Sequence, residues 1–254
     1  MQIFRICFAF ILISSIHCSQ TKYEPVTKAI GGILDLRKHS FSRKAKITLA
    51  GEWEFYWQQF CFKHLKVKLS AGTIPCSTLA NKRYVELPAY WNKLEESGKE
   101  IGGQGFATYH LTILLSDTLV NAKEPKFLAL KLPEIATAYT LYINNKKKVT
   151  VGQIGKQREK TQPAYLPQII TIPIVKKNLQ LTFHIANFHD VRGGIAYLIE
   201  LGTVDCIQKT RIKKISLDLF LMGALSLMGI YHLGLYAIRR KEKSPLFFGF
   251  LCLL

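Results

Sequence analysis

The chain has 254 residues, 48% of them apolar, enough for a sizeable core and too many for a peptide or a disordered tail. Thirty-five Lys and Arg against 17 Asp and Glu give a net charge of +18, so an anionic partner, nucleic acid or a membrane surface, has to be weighed. A mean hydropathy of +0.11 beside 20% charged residues means that the apolar residues are segregated, and they gather at the two ends.

In chain order, the first feature is an apolar run, Ile6 to Ile16, behind Arg5 and ahead of His17, Cys18, Ser19 and Gln20. A bilayer needs about 20 apolar residues, so this run reads as a secretory signal peptide over residues 1–18. The alternatives are an uncleaved anchor and a lipidated Cys18, although a lipidated cysteine follows a small residue and His17 is not small.

The next region, residues 24–205, alternates. Ile47, Leu49, Gly51, Trp53, Phe55 and Trp57 share one face of a period-2 pattern, with Glu52, Glu54 and Tyr56 on the other, the mark of a half-buried strand. Further strands are expected over 84–87, 107–115, 127–132, 139–143, 149–154, 169–174, 179–185 and 195–201. Asn144-Asn145 reads as a hairpin turn, since Asn tolerates positive φ, and Pro88, Gly102-Gly103, Pro133 and Gly193-Gly194 punctuate the rest. Many short strands without an amphipathic helix predict an all-β jelly-roll sandwich.

Ile215 to Ile238 then supplies an apolar stretch in which only Asp218 and His232 are ionisable, long enough to cross a bilayer. Lys209, Arg211, Lys213 and Lys214 precede it and Arg239, Arg240, Lys241 and Lys243 follow, a balance that does not orient the helix. The signal peptide does, by placing the β domain outside the cytoplasm. Residues 245–254 read as the start of a second transmembrane helix that continues past Leu254.

Most catalytic and binding chemistries find no support. There is no Cys-x-x-Cys and no His pair at helical spacing, so neither a metal nor another cofactor is expected. Gly103-Gln104-Gly105 lacks the third glycine and the helix of a dinucleotide loop. Lys146-Lys147-Lys148 reads as a solvated hairpin tip, and export argues against nucleic acid. Glu52 and Glu54 read as exposed positions of a surface strand rather than a hydrolytic pair, and no Gly-x-Ser-x-Gly elbow occurs. Cys61 and Cys76 could close a local disulfide in an exported domain, or be buried thiols, and Cys206 has no evident partner.

Four segments in order, Leu49 to Trp57, Leu87 to Trp91, Gly103 to Tyr109 and Tyr139 to Asn145, resemble the sugar-binding jelly roll of β-galactosidase and β-glucuronidase type glycoside hydrolases. They are more similar still to the extracellular domain of bacterial seven-transmembrane receptors with diverse intracellular signalling modules. Asn187-Phe188, Gly193-Gly194-Ile195, Leu201-Gly202 and the helix entry from Met222-Gly223 through Tyr231-His232-Leu233 to Arg239-Arg240 resemble that second family. The resemblance implies a galactose-binding-like domain in the periplasm, anchored in the bacterial inner membrane, that senses a ligand and is not itself an enzyme. A cyclase or kinase output module would lie downstream.

The ligand expected is a carbohydrate or similar small polar molecule, with Trp91 as the stacking aromatic and His189, Asp190 and Arg192 as polar contacts. The lipid bilayer is the second partner, and the helix stripe of Gly223, Ser226, Gly234 and Ala237, with His232, would support a homodimer through membrane helices or bundle packing. The alternative function is a membrane-anchored carbohydrate-binding or adhesion module without signalling. The fallback site is the sheet face carrying Glu52, Glu54 and Tyr56.

Overall fold

Alternation builds two antiparallel layers on either side of one apolar core. The computed structural model describes residues 27–41, 45–62, 74–76, 82–96, 98–122 and 126–254, so the segment expected as a signal peptide, residues 1–18, lies outside the described residues. The strands are β1 (Ile33–Leu36), β2 (Lys46–Thr48), β3 (Gly51–Trp57), β4 (Arg83–Leu87), β5 (Gly105–Leu115), β6 (Phe127–Leu132), β7 (Ala138–Ile143), β8 (Lys146–Val151), β9 (Gln168–Pro173), β10 (Asn178–Asn187) and β11 (Glu200–Thr203).

The larger sheet runs β8-β7-β10-β5-β3-β4. β10 pairs along almost all of β5, from Gly105↔Asn187 to Leu114↔Asn178. The other edge of β5 is shared end to end: β3 takes Ala107 to His110, and β1, running parallel, takes Thr112 to Leu115. The smaller sheet runs β9-β6-β11-β2. Trp53, Phe55, Tyr109, Leu111 and Ile113 from the first sheet meet Leu128, Leu130, Leu132, Ile172 and Leu201 from the second in one buried cluster.

The alternating run from Ile47 to Trp57 is expected as one strand and is two. Lys46–Thr48 pairs with β11 in the small sheet and Gly51–Trp57 with β4 and β5 in the large one. The chain changes sheet at Leu49-Ala50 and re-enters at Gly51, whose φ of +107° suits glycine alone and whose added Cβ would stand 2.4 Å from the Ala29 carbonyl oxygen. The strand expected from Val149 begins earlier, at Lys146, because Asn144 and Asn145 at φ 50° and 63° make a two-residue turn directly before it. The strand expected over 195–201 divides into Gly194–Ile195, which pairs with Ala89–Tyr90, and β11.

The outer face of the large sheet is not the exposed surface expected for Glu54 and Tyr56. Those side chains are 1% and 3% exposed, and Cys61 is disulfide-bonded to Cys76 beside Tyr56. Glu54 takes an ion pair from Lys82 at 3.0 Å, and the Tyr56 hydroxyl donates to Glu54 at 3.1 Å. Only Glu52 is exposed, its carboxylate accepting from the Gly31 amide.

Thr203 ends β11 and caps α1 (Val204–Ile238), its hydroxyl accepting from the Cys206 amide at 3.3 Å. The helix therefore starts 11 residues before the apolar stretch, with no loop between sheet and helix. α1 is long and apolar enough to cross a membrane. α2 (Ser244–Leu253) folds back against it. The close approach is not made by the Gly223 and Gly234 stripe, where an added Cβ would meet nothing within 4 Å, but by Gly229 and Gly249, each with the other's carbonyl oxygen 3.0 Å from its added Cβ. His232 donates from Nδ1 to the Met228 carbonyl, and its ring lies 4.6 Å from that of Phe248.

Candidate ligand-binding cleft

The loop after β10 is held by two asparagines. Asn187, fully buried at the strand end, donates to the Gly103 and Asp190 carbonyls at 2.8 and 3.0 Å and accepts from the Asp190 amide at 3.0 Å. Asn92, in the single turn Trp91–Lys93, donates to the Val191 carbonyl at 2.8 Å and accepts from the Gly193 amide at 3.1 Å. Gly193 passes so close over the Trp91 indole that an added Cβ would lie 2.4 Å from the ring, which leaves glycine as the residue that fits. Backbone direction at residues 187–193 is thus set from below and from the side.

This loop forms one wall of a cleft of about 180 Å³. Tyr90, Tyr165 and Tyr197 supply aromatic faces, and Glu134, Asp190 and Arg192 supply charge. The Tyr165 hydroxyl donates to the Asp190 carboxylate at 3.3 Å, and the Arg192 amide donates to the same carboxylate at 3.2 Å. The Arg192 guanidinium lies over the Tyr90 ring, 5.1 Å from its centroid. Partial burial, and then the Asp190 carboxylate, push the Tyr165 hydroxyl above the usual phenol range, so it stays a donor at neutral pH. The volume holds about six waters, below that of a drug-sized pocket, and matches one ring or one chain end.

Of the four residues expected from sequence, the structure brings two together here. Asp190 and Arg192 line the cleft. His189 lies on the same loop, exposed, its amide directed to Asn187 at 3.4 Å, and its side chain is not part of the cleft wall. Trp91 is corrected: it is 0% exposed, packed edge-on against Trp57 and stacked on Tyr109, with its indole N–H donating to the Gly103 carbonyl at 3.0 Å. An indole without an exposed face cannot stack on a ligand. Tyr90 is the neighbour that alternation sends the other way, Tyr165 and Glu134 come from loops remote in sequence, and Tyr197 lies five residues past Arg192. Among the described residues no group of three or more His, Cys, Asp or Glu is placed to hold a metal ion.

The cleft and α1 occupy opposite ends of the same strands. Asp190 and Arg192 follow the end of β10 at Asn187, and Glu134 follows the end of β6 at Leu132. Thr203, where α1 begins, lies beside Leu128 at the other end of β6. The ten residues of β10 separate the two ends by about 30 Å.

No protein-family model and no curated protein matches the sequence. Among solved structures the chain is similar to a GH2 β-galacturonidase from Eisenbergiella tayi bound to galacturonate, with a TM-score of 0.41 and 11% identity over 65% of this chain and 26% of that one. A β-glucuronidase from an uncultured Clostridium gives 0.42 and 12%, over 62% of this chain and 28% of the enzyme. The β-glucuronidase of Ruminococcus gnavus with D-glucuronic acid gives 0.43 and 15%, over 62% and 29%. The chain thus spans between a quarter and a third of the length of these enzymes.

Proposed function

We propose that this chain is the ligand-sensing region of a bacterial membrane signalling receptor, a galactose-binding-like jelly roll held in the periplasm by α1 in the inner membrane. The ligand is a carbohydrate or similar small polar molecule, taken up in the cleft without chemical conversion. The observation that carries this reading is the cleft itself: three tyrosine faces around Arg192, Asp190 and Glu134, at the end of the domain opposite α1. Asp190 favours binding over catalysis, because its carboxylate already accepts from the Arg192 amide and the Tyr165 hydroxyl. Signalling is supported by the direct splice of β11 into α1 through Thr203, which leaves no slack between a domain that could tilt on binding and the helix below it.

The test is a panel of mono- and oligosaccharides titrated against the full chain in nanodiscs. Arg192→Ala removes a charged donor, expected to cost about 1.5 to 3 kcal/mol of affinity, a loss of roughly ten- to hundredfold, without a shift in melting temperature. A bound sugar indifferent to both Arg192→Ala and Tyr165→Ala would move the site elsewhere. Alkaline phosphatase fused after Gln208 should be active and after Lys243 inactive; the reverse would overturn the periplasmic assignment.

A further inference from the structure

Arg37, Lys38, His39, Ser116, Thr118 and Lys126 line a second cavity, of about 200 Å³, formed where β1 and β5 end and β6 begins. Among the described residues, the two nearby acids are already paired: Asp35 holds the Arg37 guanidinium at 2.6 Å, and Asp117 holds Lys177 at 2.8 Å. Lys38 and Lys126 are exposed and have no ion-pair partner among the described residues. The Ser116 and Thr118 hydroxyls are 3.1 Å apart, so one donates to the other and the second proton remains for a ligand oxygen. Two ammonium groups and a free hydroxyl proton around a small cavity suit a phosphate group.

The position of the cavity names the source. Lys126 precedes β6, and Leu128 of β6 is the register partner of Thr203, where α1 leaves the domain. Beside it the rim is apolar as well as cationic: Phe127 is 48% and Val175 70% exposed, with Lys126 and Lys176 next to them in sequence. The first three turns of α1 add Lys209, Arg211, Lys213 and Lys214 on the way to the apolar stretch. A pocket for free phosphate needs no exposed Phe and Val beside it, whereas a surface resting on headgroups does.

We propose that this cavity is a headgroup site that takes the phosphate of an anionic phospholipid from the membrane in which α1 sits, fixing the tilt of the domain against the bilayer. The assignment rests on α1 crossing a membrane. It places an anchoring contact about 30 Å from the sugar cleft, at the other end of β10. Ligand uptake at one end and headgroup release at the other would then be linked through the same strands.

The experiment uses the full chain in nanodiscs of phosphatidylcholine alone or with phosphatidylglycerol, with retained lipids counted by native mass spectrometry and affinity followed by titration. Lys38→Gln with Lys126→Gln should weaken phosphatidylglycerol binding about thirtyfold, since each lysine near the surface contributes about 1 kcal/mol. Its melting temperature should not change, and Arg192→Ala should leave lipid binding unaffected. Equal lipid affinity of the double variant and the wild type would overturn the proposal, as would binding of inorganic phosphate at the cavity without any preference for phosphatidylglycerol. A chain that fails to enter nanodiscs would instead overturn the membrane assignment of α1, which separates the two failures.

Discussion

His184 Nε2–H donates to the Cys61 carbonyl at 3.0 Å, tying the middle of β10 to the disulfide-linked segment that lies over the large sheet. Around this bond the imidazole is enclosed by aromatic rings, with Phe60, Phe62 and Tyr142 all within 5.0 Å between centroids. The bond needs a proton on Nε2, which the neutral and the charged ring both supply, and it is the enclosure that makes the charged ring costly.

A pH dependence follows with a definite sign. Burial outweighs the bond to Cys61 and holds the His184 pKa down at about 4, against 6.5 for an unperturbed imidazole. Between those values the unfolded chain binds the proton and the folded chain does not, so stability falls as pH falls. The contribution is intact above about pH 6.5 and about 3 kcal/mol has been lost by pH 4. Thermal melts across this range should show a steeper decline for the wild type than for His184→Gln, and parallel curves would show that the imidazole does not titrate in this way.

The Cys61–Cys76 bond closes a 15-residue separation over the same sheet face. Chain entropy alone gives such a loop about 3 kcal/mol. Cys61→Ser with Cys76→Ser should lower stability by about that amount and make the melt insensitive to reductant, whereas Cys206→Ser, at a free thiol, should leave both properties unchanged. A wild-type melt indifferent to reductant would count against the bond.

Trp91 and Tyr90 are neighbours with opposite duties. Trp91→Ala empties a fully buried site between Trp57, Tyr109 and Gly193 and should cost about 3 to 5 kcal/mol of stability. Tyr90→Ala, at a half-buried cleft wall, should cost less than about 1 kcal/mol in melting experiments while weakening ligand binding and freeing the Arg192 guanidinium. Equal destabilisation by the two substitutions would contradict this division.

The strands were legible because alternation is local: β5, β6, β7 and β10 fall where the period-2 pattern puts them. What alternation cannot express is cover from a remote segment. Glu54 and Tyr56 have the pattern of solvent positions and are buried, Tyr56 against the Cys61–Cys76 disulfide and Glu54 against Tyr56, Lys82 and the Gly32 backbone. Nor does the pattern mark the change of sheet at Leu49-Ala50, since both halves keep the same phase and only the close passage of Ala29 past Gly51 shows the break. In the cleft, Asp190 and Arg192 were readable from a polar loop before Gly193-Gly194. Trp91 misled because a residue just after Pro88 suggests an exposed loop, while the ring turns inward and Tyr90 faces out.

The two helices offer a control within one element. An alanine is intrinsically favoured over glycine in a helix by about 1 kcal/mol, so Gly223→Ala, whose added Cβ meets nothing within 4 Å, should be neutral or slightly stabilising. At Gly229 the same Cβ would lie 2.7 Å from the Leu253 Cγ and 3.0 Å from the Gly249 carbonyl oxygen. Leu253 can turn aside, but the backbone oxygen cannot, so α1 and α2 must separate, at about 1 to 3 kcal/mol. The His232 and Phe248 rings, 4.6 Å apart, mark a site for a reporter. With Cys206 and Cys252 replaced by Ser, the pair His232→Cys and Phe248→Cys should cross-link readily in nanodiscs. Adding Gly229→Ala should slow that cross-linking several-fold and adding Gly223→Ala should not. If both additions behave alike, the helices do not meet through Gly229 and Gly249, and the small-residue contact must be sought on the Gly223 and Gly234 stripe, between copies of the chain.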